Sequence, residues 1–231
     1  MEAPSGIHEV EFEKSKLVRV LDRLSPYWAP QLVVGVAILL DLALSEQLTI
    51  GPRWLLPAVE AGLLVVLVIV SPHPRVRHTR LRRQLAMGFI GLVSAVNAVS
   101  LVLLVHYLLH GKSSNGRSLV YSGIVLWVTN VLLFALWYWE LDRGGPLGRM
   151  EREHAVADFL FPQMTEVRWT PKGWMPGLVD SLYTSFTNAT AFSPTDTMPL
   201  TATAKWLMGS QALVALVTIG LVVARAVNIL S

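Results

Sequence analysis

The side chains able to do chemistry are few, and most of them sit in apolar surroundings. Asp41, Glu60, Asn97, His106, Asn130, Arg225 and Asn228 fall within or at the edges of long hydrophobic segments. An ionisable group in such a setting costs several kcal/mol to desolvate, so each one marks either a function or a buried partner. Glu60 is the deeper of the two acids and suits a proton-linked or structural role. Asp41 and Arg225 lie where a side chain can snorkel or pair near an interface. Asn97 and Asn130 suit hydrogen bonds between helices. His106 and His110 share a helical face at a spacing that fits metal ligation, but no carboxylate lies close in sequence to complete a site. Two interfacial histidines are the better reading. With no cysteine in the chain, thiolate catalysis and thiolate metal sites are excluded. There is no phosphate-binding glycine loop, nucleophile elbow or H-E-x-x-H motif. No enzymatic constellation is present and no cofactor is implied.

The elements that must carry these residues follow from composition. The chain has 231 residues, 53% apolar and only 15% charged, against about 25% charged in an ordinary soluble domain. The apolar residues fall in blocks, and a block of roughly 20 crosses a bilayer core as a helix. Five segments read as transmembrane helices, at about 28–48, 54–70, 85–109, 119–139 and 204–230. The aromatic run Trp137, Tyr138, Trp139 closes the fourth in the position of an interfacial belt. Val10, Lys14, Leu17, Val18, Leu21 and Leu24 recur at spacings of three and four, as in an amphipathic helix lying on a membrane surface or a short cap on the protein. The expected fold is all-α: a polytopic integral membrane protein with this N-terminal amphipathic helix, about five transmembrane helices and a re-entrant half-helix before the last. Its regions are the interfacial segment 1–27, a three-span peripheral region 28–117 and a pore-module-like region 118–231. The charged start at Glu9, Glu11, Glu13, Lys14 and Lys16 does not match a cleavable signal peptide, so the first apolar segment reads as a retained span.

Basic residues set the expected orientation. If the five spans alternate, only Arg53, Lys112, Arg117 and Arg225 of the 19 Lys and Arg residues fall on one side. The other side collects the N-terminal cluster, the loop from Arg75 to Arg83 and the segment after the fourth span, which makes it cytoplasmic. The pI near 9.4 reflects the same bias. Arginine beside two spans suits topology and anionic lipid headgroups, not nucleic acid. The expected location is the cell (plasma or inner) membrane.

The segment 142–199 is not a span. After a break at Arg143-Gly-Gly-Pro146 and a turn-rich stretch, a run of about fourteen residues at 178–191 reads as a helix half the length of a span and rich in hydroxyls. It ends in Phe192-Ser-Pro-Thr-Asp-Thr-Met-Pro199, a turn-forming sequence before the last span. A half-length helix followed by an irregular polar stretch is the pattern of a re-entrant loop, tolerated at membrane depth only beside protein or a watery cavity. A surface loop with an interfacial helix fits the same composition.

The stretch Leu182-Tyr-Thr-Ser-Phe-Thr-Asn-Ala-Thr190, followed by Asp196, Pro199 and Thr201, resembles the pore helix, filter and exit segment of bacterial potassium-channel pore modules. Those read L-Y-F-S-F-x-x-x-T, then T-V-G-Y-G-D-x-x-P-x-T. The likeness extends into Ala204-Lys-Trp-Leu-Met and Leu221-Val-Val-Ala-Arg-Ala-Val227, which resemble an inner helix. Where the family carries T-V-G-Y-G, this chain has Ala191, Phe192, Ser193, Pro194 and Thr195, so the two filter glycines are absent. The resemblance implies a homo-oligomer, a tetramer where the module is intact. It also implies an inorganic cation held partly hydrated by Thr190, Ser193, Thr195 and Asp196. For Asp196 a local cap or a pair with Lys205 is the alternative. The charge bias puts the loop on the cytoplasmic side, opposite to potassium channels; ionotropic glutamate receptors carry the module inverted in this way. The reading is therefore a channel-like protein for cations with a non-standard filter. The alternatives are a non-conducting scaffold for a partner or for lipid, and a proton-coupled transporter using Asp41 and Glu60.

Overall fold

The structure is a computed structural model that describes residues 31–40, 42, 44, 48, 55–70, 79–110, 116–151, 156–171, 173–190 and 196–230. The N-terminal segment 1–27, Asp41 and the filter-like residues Ala191, Phe192, Ser193, Pro194 and Thr195 lie outside the described residues.

Helices dominate. In chain order they are α1 (Gln31–Leu40), α2 (Leu55–Val70), α3 (Thr79–His110), α4 (Gly116–Leu141), α5 (Gly145–Glu151), α6 (Pro162–Thr165), α7 (Leu178–Thr190) and α8 (Ala202–Leu230). Among the described residues three stretches are long and apolar enough to cross a membrane: Arg83–Leu108 in α3, Ser118–Gly144 through α4, and Ala202–Arg225 in α8. These coincide with three of the five expected spans. The other two are shorter in the described residues. The 16 residues of α2 extend about 24 Å, short of a bilayer core of about 30 Å.

The long helices alternate in direction. Phe89, Ile90 and Val93 near the start of α3 pack with Leu133 and Leu136 near the end of α4. Leu101 and Leu104, further along α3, pack with Leu119, Val125 and Leu126 at the start of α4. On α8, Ala204 and Met208 pack with Tyr138, while a Cβ added to Gly123 would collide with Val222. The absent side chain at Gly123 therefore lets α4 and α8 approach closely. The start of α3, the end of α4 and the start of α8 share one end of the bundle. α1 runs alongside α3 in the same direction. Val33, Val34 and Ile38 join the cluster around Phe89, and Leu44 and Leu48 join the one around Leu104. The Ser100 hydroxyl donates to the Leu48 carbonyl at 2.9 Å. Helix α4 is central: 61% of its membrane-length window is buried, against 22% for α8.

One feature departs from an all-α expectation. Between α5 and α8 the chain forms a two-stranded antiparallel ribbon, β1 (Phe159–Leu160) with β2 (Met198–Pro199), in the register Phe159↔Pro199 and Leu160↔Met198. Phe159 and Phe161 are buried against Tyr138, Ala204 and Met208. The segment 156–164 thus caps one end of the bundle, which is why a short apolar patch that cannot cross a membrane is apolar at all. The same cap alters the reading of the aromatic run. Tyr138 and Trp139 are buried, and the Trp137 indole N–H donates to the Ser94 hydroxyl at 3.0 Å. The run faces protein and does not form an interfacial belt.

Candidate functional site

The site is built on α7, whose thirteen residues begin with a defined cap. Asp180, in its first turn, accepts the Gly177 N–H at 2.7 Å, half of a capping box at the electropositive end of a helix. Along the helix Ser181, Thr184, Ser185 and Ala189 are buried, at the spacing of one helical face. Val179, Tyr183, Phe186 and Thr190 are exposed on the other. The polarity is the reverse of a water-facing helix, with hydroxyls inward and large apolar groups outward. The Thr184, Thr187 and Thr190 hydroxyls donate to the carbonyls of Asp180, Tyr183 and Phe186 at 2.8–2.9 Å, so these polar atoms are satisfied within the helix.

Gln211 of α8 ties α7 to its neighbours. Fully buried, it donates from Nε2 to the Ser185 carbonyl at 3.0 Å and to the Ser185 hydroxyl at 2.6 Å. Its Oε1 accepts the Tyr138 hydroxyl from α4 and the Asn188 amide at 2.8 Å. Asn188 also donates to the Met208 carbonyl at 2.9 Å, and Ser185 Oγ donates to the Val131 carbonyl at 2.7 Å. Three helices are joined through one buried network in which donors and acceptors match. Beside it, Ala189 packs with Val131 and Ala215. Val131 is midway along the Ser118–Gly144 stretch, so the end of α7 reaches the middle of α4.

A second network closes the end of α4. Arg143, Gly144 and Gly145 have φ of 53°, 82° and 83°, and these successive left-handed residues reverse the chain. The Arg149 guanidinium folds back to donate to the carbonyls of Trp139 at 2.9 Å and Asp142 at 3.0 Å, groups that a helix end leaves without partners. It lies over the Trp139 ring and 3.7 Å from the Asp142 carboxylate. Burial lowers the Arg149 pKa from its ordinary value, and the Asp142 charge opposes that shift.

Of the residues singled out from sequence, Thr190 is exposed at the end of α7, and Asp196 is exposed at a bend just before β2. Among the described contacts Asp196 makes no ion pair with Lys205. The Thr184 and Thr197 hydroxyls, 3.1 Å apart, hold the stretch after Asp196 against α7. Glu60 is buried in α2, and Asn97 and Asn130 are buried in α3 and α4. His106 is exposed with its ring edge-on to Tyr107, and no group of three metal-ligating side chains occurs among the described residues. In the sequence Tyr138 reads only as part of an aromatic belt, and Ser185 and Asn188 only as part of the pore-helix-like stretch, while Gln211 is not singled out. One signal was available: Gln211 is an amide well inside the last apolar block.

Compared with family models, curated proteins and solved structures, the chain shows no match.

Proposed function

We propose that this chain is one subunit of an oligomeric cation pathway in the cell membrane, with α4, α7 and α8 as outer helix, re-entrant half-helix and inner helix. The observation that carries the reading is where α7 stops. Its last turn lies beside Val131 and Ala215, midway along two helices of membrane length. The final carbonyls of a helix lack intrahelical donors and carry its partial negative charge. Such an end cannot face hydrocarbon, and it favours water and a cation over an anion. The outward face Val179, Tyr183 and Phe186, and the sparse burial of α8, leave room for identical subunits around a shared axis. The exposed Thr190 and Asp196 flank residues 191–195 and would supply oxygen ligands to the ion. Five spans and a tetramer belong to this proposal. A surface-loop reading of α7 fits less well, because a helix on a watery surface buries its apolar face, and α7 buries its hydroxyls.

The test is cation flux from liposomes holding the purified oligomer, wild type against Asp196→Ala. Potassium or sodium flux that the substitution reduces several-fold or whose selectivity it shifts supports the pathway. Folded, oligomeric protein that passes no cation retires it in favour of a scaffold.

A further inference from the structure

Between the exit of α4 and the entry of α8 the chain leaves the bundle and returns, and one residue stands where its two ends meet. The Asp158 N–H donates to Asp142 Oδ1 at 3.1 Å, and Asp158 Oδ2 accepts the N–H of Arg143 at 3.2 Å. On the other side its carbonyl accepts the N–H of Leu200 at 2.8 Å, and Oδ1 accepts the Thr201 hydroxyl at 2.8 Å. Two bonds hold the α4 exit and two hold the α8 entry. The Thr201 oxygen also accepts the N–H of Ala204 at 3.3 Å, so the residue that Asp158 grips is the cap of α8. The Arg143 N–H is presented to it by the left-handed turn described above.

We infer that Asp158 is a positioning residue, a clasp that fixes where α8 enters relative to where α4 ends and thereby sets the stretch from Asp196 to Thr201. Residue type supports this. The Arg143 N–H can only donate and the Thr201 hydroxyl donates here as well, so a carboxylate meets both with charge-assisted bonds, whereas an asparagine would keep them only without the charge and by turning the Thr201 hydroxyl into an acceptor. Helices α3 and α4 are packed on each other independently of it by the clusters around Phe89 and Leu104, so the clasp acts on the α8 junction without holding up that pair. Its geometry does not depend on the pathway proposed above, but its bearing on permeation rests on that reading.

Hydrogen exchange on the full-length protein in detergent, comparing wild type, Asp158→Asn, Thr201→Val and Thr201→Ser, tests the clasp. Losing a charge-assisted bond at a local junction predicts about ten-fold faster exchange at Thr197, Met198 and Leu200 through Met208 in Asp158→Asn and Thr201→Val. Thr201→Ser should keep the wild-type rate, and the amides of Asn97 to Leu108 in α3 should not change in any variant. Unchanged exchange at Thr197–Met208 in both disruptive variants overturns the inference, as does an equal rise across α3. If Asp158→Asn fails to fold, the Thr201 pair decides. Flux then separates the two proposals. A wild type that passes no cation removes the pathway and leaves the clasp to the exchange data. A conducting wild type whose potassium-to-sodium ratio is the same in Asp158→Asn overturns the clasp's role in permeation.

Discussion

At the scale of single residues, Gln211 concentrates the polar interactions that hold α7. In water a buried amide bonded to three side chains would be worth several kcal/mol. Inside a membrane helix bundle one such bond averages about 0.6 kcal/mol, because the unfolded chain in lipid finds other partners. The network therefore sets position more than it supplies stability, and the two roles separate by experiment. Tyr138→Phe removes one donor and should cost about 0.5–1.5 kcal/mol. Gln211→Leu leaves Tyr138 without its acceptor, deprives Ser185 of its donor and takes one partner from Asn188, and should cost about 2–3 kcal/mol. Reversible unfolding in mixed micelles would read both, and equal losses would show that Gln211 has no special place. These residues were hidden in the sequence for a physical reason. Tyr138 meets Gln211 across 73 residues and Asn188 meets it across 23, so nothing local records the pairing. Hydroxyl-rich spacing in 178–190 was legible because it repeats on one helix; the acceptors it faces were not.

At the scale of elements, long apolar blocks announced α3, α4 and α8 because crossing a bilayer imposes a length that composition alone reveals. The short ribbon β1–β2 stayed invisible, since each strand is two residues long and its partner lies far along the chain. How the helices meet turns on two small features. The first is Gly123, where a methyl group would strike Val222. Gly123→Ala should destabilise the α4–α8 contact by about 1–3 kcal/mol, the usual cost of overpacking a tight interface. Val222→Ala in the same chain should return most of it, and a double variant no better than the single would show that the crossing is set elsewhere. The second is Arg149, which occupies the open carbonyls at the end of α4 while facing the Asp142 carboxylate. Arg149→Ala strips a buried acid of one of its two cations, leaving Arg143 at 3.9 Å, and opens two carbonyls, and should cost about 2–3 kcal/mol. Arg149→Lys should recover only part, because one nitrogen, Nη1, reaches both carbonyls and an ammonium can replace it, but no ammonium reproduces the planar guanidinium over the Trp139 ring. Thermal unfolding of the three proteins would rank them.

At the scale of the whole molecule, alternation of α3, α4 and α8 brings Arg83, the ribbon β1–β2 and Lys205 to one end of the bundle, while Arg225 belongs to the other. The Lys and Arg excess predicts that the first end is cytoplasmic, so that on the proposed reading α7 would enter the membrane from inside the cell. The chain tests this readily because it has no cysteine of its own. Cysteines placed singly at the exposed positions Val156 and Trp169 report the end that carries the ribbon. In intact cells a membrane-impermeant maleimide should leave both unlabelled, and permeabilisation should expose both to nearly complete reaction. Labelling of both in intact cells would put the entry of α7 outside, the orientation of ordinary potassium channels, and would show that the arginines near the start of α3 do not govern insertion. Position 169 discriminates well. Its tryptophan is 75% exposed with the Arg168 guanidinium over its ring, so substitution there disturbs surface and not core. Whichever side reacts, the result fixes the direction of the α7 axis. The partial negative charge at the end of that helix points outward across the membrane in one case and inward in the other.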